Sequence, residues 1–369
     1  MNILAIGLDP LLLDPASVSM KRQHAYYRGH NATILVLRSG KAVSWTEGTI
    51  RTMCYGGGGK ADVLFRAVKG LLGEKRQYDL VIAQDVLWCG LIAYFVIRMH
   101  GGKLVTQLHG NYLDNPQWIN EKPANIFLNK VGKFVLRKSA GVRCVSRKIQ
   151  DQVVTQFGYP EERTIANPIG TDLTLFTPEG VSIGSPERFV IFAQRLIAEK
   201  SPMHYVTIML DLMGKYPDLH AVIAGEGNLK KDMQDAFVRA GIAHRAHFLG
   251  HVGLAQLAMY YRKATCLLHT AGWEGWGMPM IEAMACGAPV VSTDTGCAGE
   301  VVIDGRNGFV LPIDDVEGMR GKTEELVKDE VLRAKFSANA KIDAQAASFA
   351  TLSVQLHDWY EHVYNDSKK

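Results

Sequence analysis

Between His269 and Ser292 the chain is more tightly constrained than anywhere else. The apolar run Ala264 to His269 has strand length and empties into a loop with three glycines, Gly272, Gly275 and Gly277. Pro279 then takes a first helical position, where its missing N–H would have had no partner anyway. Gly287 closes that helix, and Ala288 to Ser292 forms the next apolar run. The order is strand, glycine loop, short helix, strand. A glycine loop opening onto a helix N-terminus presents unpaired N–H groups and is a ready anion site. Two carboxylates frame it, Glu274 in the loop and Glu282 in the first turns of the helix. Carboxylates do not hold phosphate; they accept hydrogen bonds from hydroxyls such as those of sugars and ribose. Taken alone, the loop is also compatible with a structural turn, with Glu282 serving the helix dipole.

The rest of the chain repeats this rhythm. Asn2 to Gly7, Ala32 to Leu37, Asp79 to Ala83, Lys103 to Leu108, Gly141 to Val145 and Arg163 to Ala166 are apolar runs of strand length. Helical patterns such as Ala61 to Leu72, Cys89 to Met99 and Ile126 to Lys138 separate them. A second series begins at Arg188 to Ala193 and continues through Leu219 to Ala224, Ala246 to Gly250, Ala264 to His269, Ala288 to Ser292 and Phe309 to Pro312. Alternation of this kind predicts parallel sheets covered by helices on both faces. The turn-rich segment Asp172 to Pro186 is the natural linker. The expectation is an α/β protein of two doubly wound, Rossmann-like domains, with ligand crevices at the carboxyl ends of the strands facing across a cleft.

A chain of 369 residues suits two such cores. No apolar run approaches the ~18 residues of a spanning helix. The opening Met-Asn-Ile-Leu-Ala-Ile-Gly reads as a first strand rather than a leader. Six cysteines without metal-ligand spacing predict buried thiols in a reducing compartment, hence a cytoplasmic protein. The formal net charge is only +4, and no nucleic-acid partner is expected. The cationic excess lies in the first half, and Lys122, Lys130, Lys133, Arg137, Lys138, Arg143, Arg147 and Lys148 fall in one stretch free of acids. Ile126, Phe127, Val131, Phe134 and Val135 supply apolar residues at helical spacing there. Two readings stand: an anionic membrane surface engaged through Lys122 to Lys148, from the inner face, or a solvated face over a packed helix.

Glu274, Gly275, Gly277, Pro279, Glu282, Ala283, Gly287 and Pro289 together resemble the signature of the retaining glycosyltransferases of the GT-B fold, in the large sucrose-synthase and mannosyltransferase-like group (glycosyl transferases group 1). Trp276 stands where Phe is commoner. The resemblance implies an enzyme of glycan or polysaccharide synthesis that moves a hexose or related sugar from a nucleotide-diphosphate donor to a glycan or lipid-linked acceptor. It assigns the acceptor to residues 1–172, completed by a returning helix at 349–369, and the donor to 173–348. Arg195 and Lys200 match the family's pair of cations on the donor diphosphate. Their chemistry fits, because the departing nucleotide gains charge as the glycosidic bond breaks. In the family Glu274 contacts sugar hydroxyls, the amides of Gly275, Trp276, Gly277 and Met278 support sugar and phosphate, and Glu282 takes the ribose. Gly225 and Glu226 follow as in relatives, and Gly250 and Val252 lie in the stretch whose backbone reads the base. His109, before Gly110, stands where the family places a histidine beside the donor sugar.

Two segments depart from the pattern. Asn-Pro-Ile-Gly-Thr-Asp at Asn167 to Asp172 replaces an Asn-Gly-Val-Asp-type turn. The first loop, Leu8 to Pro15, lacks the glycine pair that approaches phosphate and carries two prolines, two aspartates and three consecutive leucines after Leu8 instead. It is expected to face an acceptor, an apolar one, and so is the Gly56 to Gly59 run. No Asp-x-Asp occurs, so no metal site and no cofactor beyond the donor substrate are expected. Two rivals remain. A silent sugar-nucleotide-binding subunit is opposed by the intact site, and a dinucleotide oxidoreductase by the missing Gly-x-Gly-x-x-Gly after the first strand.

Overall fold

The computed structural model describes residues 1–74 and 76–366, with the backbone alone at Gln117. The chain forms two compact units, one of Met1–Pro168 with Leu352–Lys369, the other of Ile169–Thr351.

In the first unit the described residues give strands β1 (Asn2–Gly7), β2 (Asn31–Val36), β3 (Val43–Glu47), β4 (Ile50–Cys54), β5 (Leu80–Ala83), β6 (Lys103–Leu108), β7 (Gly141–Cys144) and β8 (Thr164–Ala166). They lie in the order β3-β4-β2-β1-β5-β6-β7-β8. All pairings are parallel except β3 with β4. Ile3 to Ile6, Leu80 to Ala83 and Val105 are sealed from solvent, as expected where helices cover both sheet faces. The β3–β4 hairpin is absent from the expected strands. Its outer strand is mostly exposed at the sheet edge and carries no buried alternation, so the chain there lacks an apolar signature. The helix Phe349–Asn365 brings Leu352, Leu356, Trp359, Tyr360 and Val363 into this core.

In the second unit β9 (Phe189–Ala193), β10 (His220–Ala224), β11 (Ala246–Gly250), β12 (Cys266–His269), β13 (Val290–Thr293) and β14 (Gly308–Leu311) form an all-parallel sheet ordered β11-β10-β9-β12-β13-β14. Phe192, Tyr205, Met209, Phe237, Leu268 and Phe336 pack into one of its cores. The strand order reverses beside β9, so the segments after β9 and β12 open at the crevice where such sheets take ligands. All six cysteines are buried, and none is in a disulfide among the described residues.

Candidate functional site

The second unit gathers its polar residues where β9 and β12 end. Gln194 follows β9 directly, and its side-chain amide meets Nε2 of His269, the last residue of β12, at 2.9 Å. A short 3-10 turn, Ala198–Lys200, then folds Lys200 inward to 6% exposure. Its ammonium donates to Glu274 Oε2 at 2.8 Å and to the Trp273 carbonyl at 3.0 Å. The other Glu274 oxygen accepts from the Gly275 N–H at 3.1 Å, and His269 Nε2 lies 3.8 Å from Oε2. Burial works against the charge on Glu274, but the histidine and the lysine outweigh it and hold the carboxyl at about 2. Glu274 is therefore an ionised acceptor at neutral pH and has no proton to give.

Glycines make this closeness possible. Gly277 sits at φ 88°, in the left-handed region, and caps the helix Met278–Ala285. A Cβ there would lie 2.3 Å from Met280 Cε and 3.3 Å from Glu274 Cγ. Pro279 is the second helical residue rather than the first, and no side chain caps this helix. Gly225, at φ 151°, passes so near the Gln194 carbonyl that a Cβ would stand 1.9 Å from its oxygen. Its N–H donates to the Gly250 carbonyl, joining the loop after β10 to the end of β11.

The other residues expected on the donor side divide by exposure. Glu282 is 7% exposed on the helix, and Trp276 is 5% exposed, so the indole belongs to the core and Trp276 offers the site its main chain. Gly275 and Gly277 are buried, while Met278 and Val252 are half-buried. Glu226 pairs with Lys230 at 2.8 Å. Arg195 leaves two thirds of its side chain exposed and makes an ion pair with Glu199 at 3.4 Å. The two expected diphosphate cations thus differ: Lys200 is fixed beside Glu274, and Arg195 reaches outward.

In the first unit, His109 follows β6. Its Nε2 lies 3.0 Å from Gln107 Oε1, which also accepts from the Arg143 guanidinium at 3.2 Å. Gln107 Nε2 donates to the Tyr360 hydroxyl at 3.0 Å. Arginine has donors only, so the Gln107 oxygen must face it, and His109 must then donate from Nε2 and keep its lone pair on Nδ1. Lost solvation, then the Arg143 charge, push the imidazole down to about 3, and the ring is neutral although the residue as a whole is exposed. Arg143 itself is 2% exposed and donates to the carbonyls of Asn167 and Pro168 at 2.8 and 2.9 Å. Gln107, Arg143 and Tyr360 are absent from the expected site. An arginine inside the apolar strand Gly141–Cys144 was the signal for them.

That burial also narrows the basic surface expected over Lys122 to Lys148. Arg143 lies in the sheet, Val135 is fully buried, and Lys133 is paired with Asp114 at 2.8 Å. The surface that remains on the helix Pro123–Lys138 shows Ile126, Phe127 and Phe134 exposed, with Lys130, Arg137 and Lys138. In the first loop Leu12 is buried, and Leu8 and Leu11 are exposed.

Comparison with known proteins agrees with this construction. The family described as Glycosyl transferases group 1 matches residues 177–343, and Glycosyltransferase Family 4 matches residues 22–175. Residues 177–343 thus carry the likeness to the group 1 glycosyltransferases, and residues 22–175 the likeness to a second glycosyltransferase family. It is similar to phosphatidyl-myo-inositol mannosyltransferase of Mycolicibacterium smegmatis, with 31% identity over 53% of this chain and 51% of that one. The first curated relatives of this group are matched over only 51% to 62% of their own length. Sucrose-phosphate synthase from Thermosynechococcus elongatus shares the fold with a TM-score of 0.83 at 16% identity, covering 99% of this chain and 100% of that one. The Anabaena protein HepE, solved in complex with UDP-glucose, shares it with a TM-score of 0.77 at 19% identity, covering 98% and 100%. Both units are therefore Rossmann-like domains of GT-B type.

Proposed function

We propose that this chain transfers a hexose or related sugar from a nucleotide-diphosphate donor to an acceptor, with the anomeric configuration retained. The observation that carries the reading is the state of Lys200. Of its three donors, one is taken by Glu274 and one by the Trp273 carbonyl, which leaves one for a phosphate oxygen. Cation and carboxylate side by side suit a substrate that is anionic at the diphosphate and rich in hydroxyls at the sugar. As the anomeric C–O bond breaks, its electrons pass to the diphosphate, and fixed cations at Lys200 and Arg195 lower the barrier by meeting that charge. Glu274 accepts from sugar hydroxyls and Glu282 from the ribose. No metal takes part in this scheme. HepE was solved with UDP-glucose, which supports a donor of that class.

The acceptor is proposed to be lipid-linked. A pocket of about 340 Å³ at the carboxyl ends of β1 and β2 is lined by Leu8, Leu37, Val63 and Trp88, with Arg38 and Lys60 beside them. Apolar walls with two cations fit a lipid joined to phosphate. The relative named as a phosphatidyl-myo-inositol mannosyltransferase supports this choice. The helix Pro123–Lys138 would bring the enzyme to an anionic membrane surface. The test is incubation of the purified chain with a panel of nucleotide sugars, with and without lipid-phosphate acceptors, scoring nucleotide release and the glycolipid. A chain that neither binds nor cleaves any donor in the panel is not this enzyme.

A further inference from the structure

A second cluster lies at the opposite edge of the first sheet. His30 immediately precedes β2, at the amino ends of the parallel strands, whereas His109 follows the carboxyl end of β6. On the helix Phe349–Asn365, His357 and Glu361 stand one turn apart and so share a face. The three side chains each bring a ligand atom to within 4.8 Å of the others. His30 and His357 stack with ring centroids 5.0 Å apart, and His30 Nε2 lies 3.1 Å from Glu361 Oε1.

The His357 tautomer is arranged for a cation. His357 Nδ1 faces the Tyr26 carbonyl at 3.3 Å, a pure acceptor, so that nitrogen carries the proton and Nε2 keeps its lone pair. Histidine ligands are commonly oriented by such a bond from the second ring nitrogen. His30 is 7% exposed, and its Nε2, though 3.1 Å from Glu361 Oε1, makes no hydrogen bond to it. A buried ring nitrogen without a partner is costly in an ordinary core. Its other nitrogen accepts from the Met1 ammonium at 3.3 Å, so Nε2, which faces the cluster, carries the ring proton in the metal-free chain and releases it when an ion binds. The 3.1 Å separation is close to the ~3.3 Å edge of a tetrahedron with zinc-type bonds.

We infer that His30, His357 and Glu361 bind one divalent transition-metal ion of the zinc class, which fastens the helix Phe349–Asn365 to the first sheet. Two imidazoles and one carboxylate select Zn²⁺ or Co²⁺ over Mg²⁺ or Ca²⁺. The remaining position is left to water. The ion is structural, because its ligands lie at the sheet edge opposite His109.

Zinc and cobalt titrations of the chelator-treated full chain test this. One zinc should bind per chain with a dissociation constant below about 10 μM, and saturating zinc should raise Tm by about 3 °C or more. Cobalt should produce a visible absorption band of tetrahedral or five-coordinate type. His357→Ala and Glu361→Gln, at half-buried positions, should each weaken zinc binding at least tenfold and remove the cobalt band. His362→Ala, exposed on the same helix, should change neither. Wild-type protein that gives no cobalt band and no stoichiometric zinc overturns the assignment. So does full zinc binding in the His357→Ala/Glu361→Gln double variant, which would place the ion elsewhere, as at the His220–His247 pair.

Discussion

Lys200 Nζ and Glu274 Oε2 lie 2.8 Å apart, one from the turn after β9 and the other from the loop after β12. Neither side chain is largely exposed, so each removes the cost of burying the other. Lys200→Ala should lower turnover by about 10²-fold or more, through loss of charge on the leaving group. It should also destabilise the fold by about 3 kcal/mol, because Glu274 stays behind as an unpaired buried charge. The combination Lys200→Met/Glu274→Gln should recover most of that stability and none of the activity. Thermal melts and nucleotide-release assays on the single and double variants separate the two roles. A double variant as unstable as Lys200→Ala would show that the pair does not balance.

The same pair sets an acid limit. The Glu274 carboxyl is held at about 2, below its ordinary 4.5, so it binds its proton less readily in the folded state than in the unfolded one. Its contribution is complete above pH ~4.5 and is lost as pH falls toward 2. That loss amounts to about 3 kcal/mol for a shift of this size. Urea unfolding at pH 7, 5 and 3 should show it in the wild type and a shallower decline in Lys200→Met/Glu274→Gln. Turnover should show no acidic limb between pH 5 and 8 attributable to Glu274.

Much of this was legible in the chain. The buried parallel strands were visible as apolar runs, since both faces are covered, and the strand, glycine loop and helix around Glu274 could be read from the spacing of Gly272, Gly275, Gly277, Pro279 and Gly287. The β3 edge strand was not legible, because an exposed strand carries no apolar pattern. Nor was the meeting of Lys200 with Glu274, which lie 74 residues apart and join only when β9 and β12 pair. The Gln107–Arg143–Tyr360 network is hidden for the same reason, with partners 36 and 253 residues from Gln107.

Gly277→Ala tests whether loop packing positions Glu274. The added Cβ meets Met280 Cε at 2.3 Å and Glu274 Cγ at 3.3 Å, on a backbone at φ 88°. The expected cost is about 1–3 kcal/mol of stability, with kcat reduced more than the donor KM is raised, because the carboxylate moves while the diphosphate contacts remain. Gly241→Ala, also at positive φ but with open space around it, gives the backbone penalty without the displacement.

Chelation should separate catalysis from the helix clasp. On the proposed scheme, in which Lys200 and Arg195 meet the leaving group, exhaustive EDTA treatment should leave turnover at 25 °C within about twofold. The same treatment should lower Tm if the His30, His357 and Glu361 site is filled. Loss of turnover that Mg²⁺ or Mn²⁺ restores would overturn the metal-free scheme.

Membrane attachment is the remaining prediction, and the structure narrows its surface. Lys133 is paired with Asp114 and Arg143 is buried, which leaves Lys130, Arg137 and Lys138 with Ile126, Phe127 and Phe134 exposed on the same helix. Phe95 and Met99, on the neighbouring helix Trp88–His100, are also exposed, and Phe134 meets Tyr94 of that helix edge-on at 5.0 Å. Each cation near an anionic bilayer contributes about 1 kcal/mol, falling off within a Debye length. Inserted aromatic and aliphatic side chains add a part that salt does not screen. Binding to anionic liposomes should therefore weaken with salt yet persist in part. The Lys130→Gln/Arg137→Gln/Lys138→Gln variant should lose the salt-sensitive part, and Ile126→Ser/Phe127→Ser the remainder. Both should keep wild-type turnover on a water-soluble acceptor analogue, since none of these residues lines the pocket at Leu8, Leu37 and Trp88. Co-sedimentation at low and high salt reads all of these outcomes, and wild-type protein that ignores anionic vesicles at low salt reduces this helix to a solvated face.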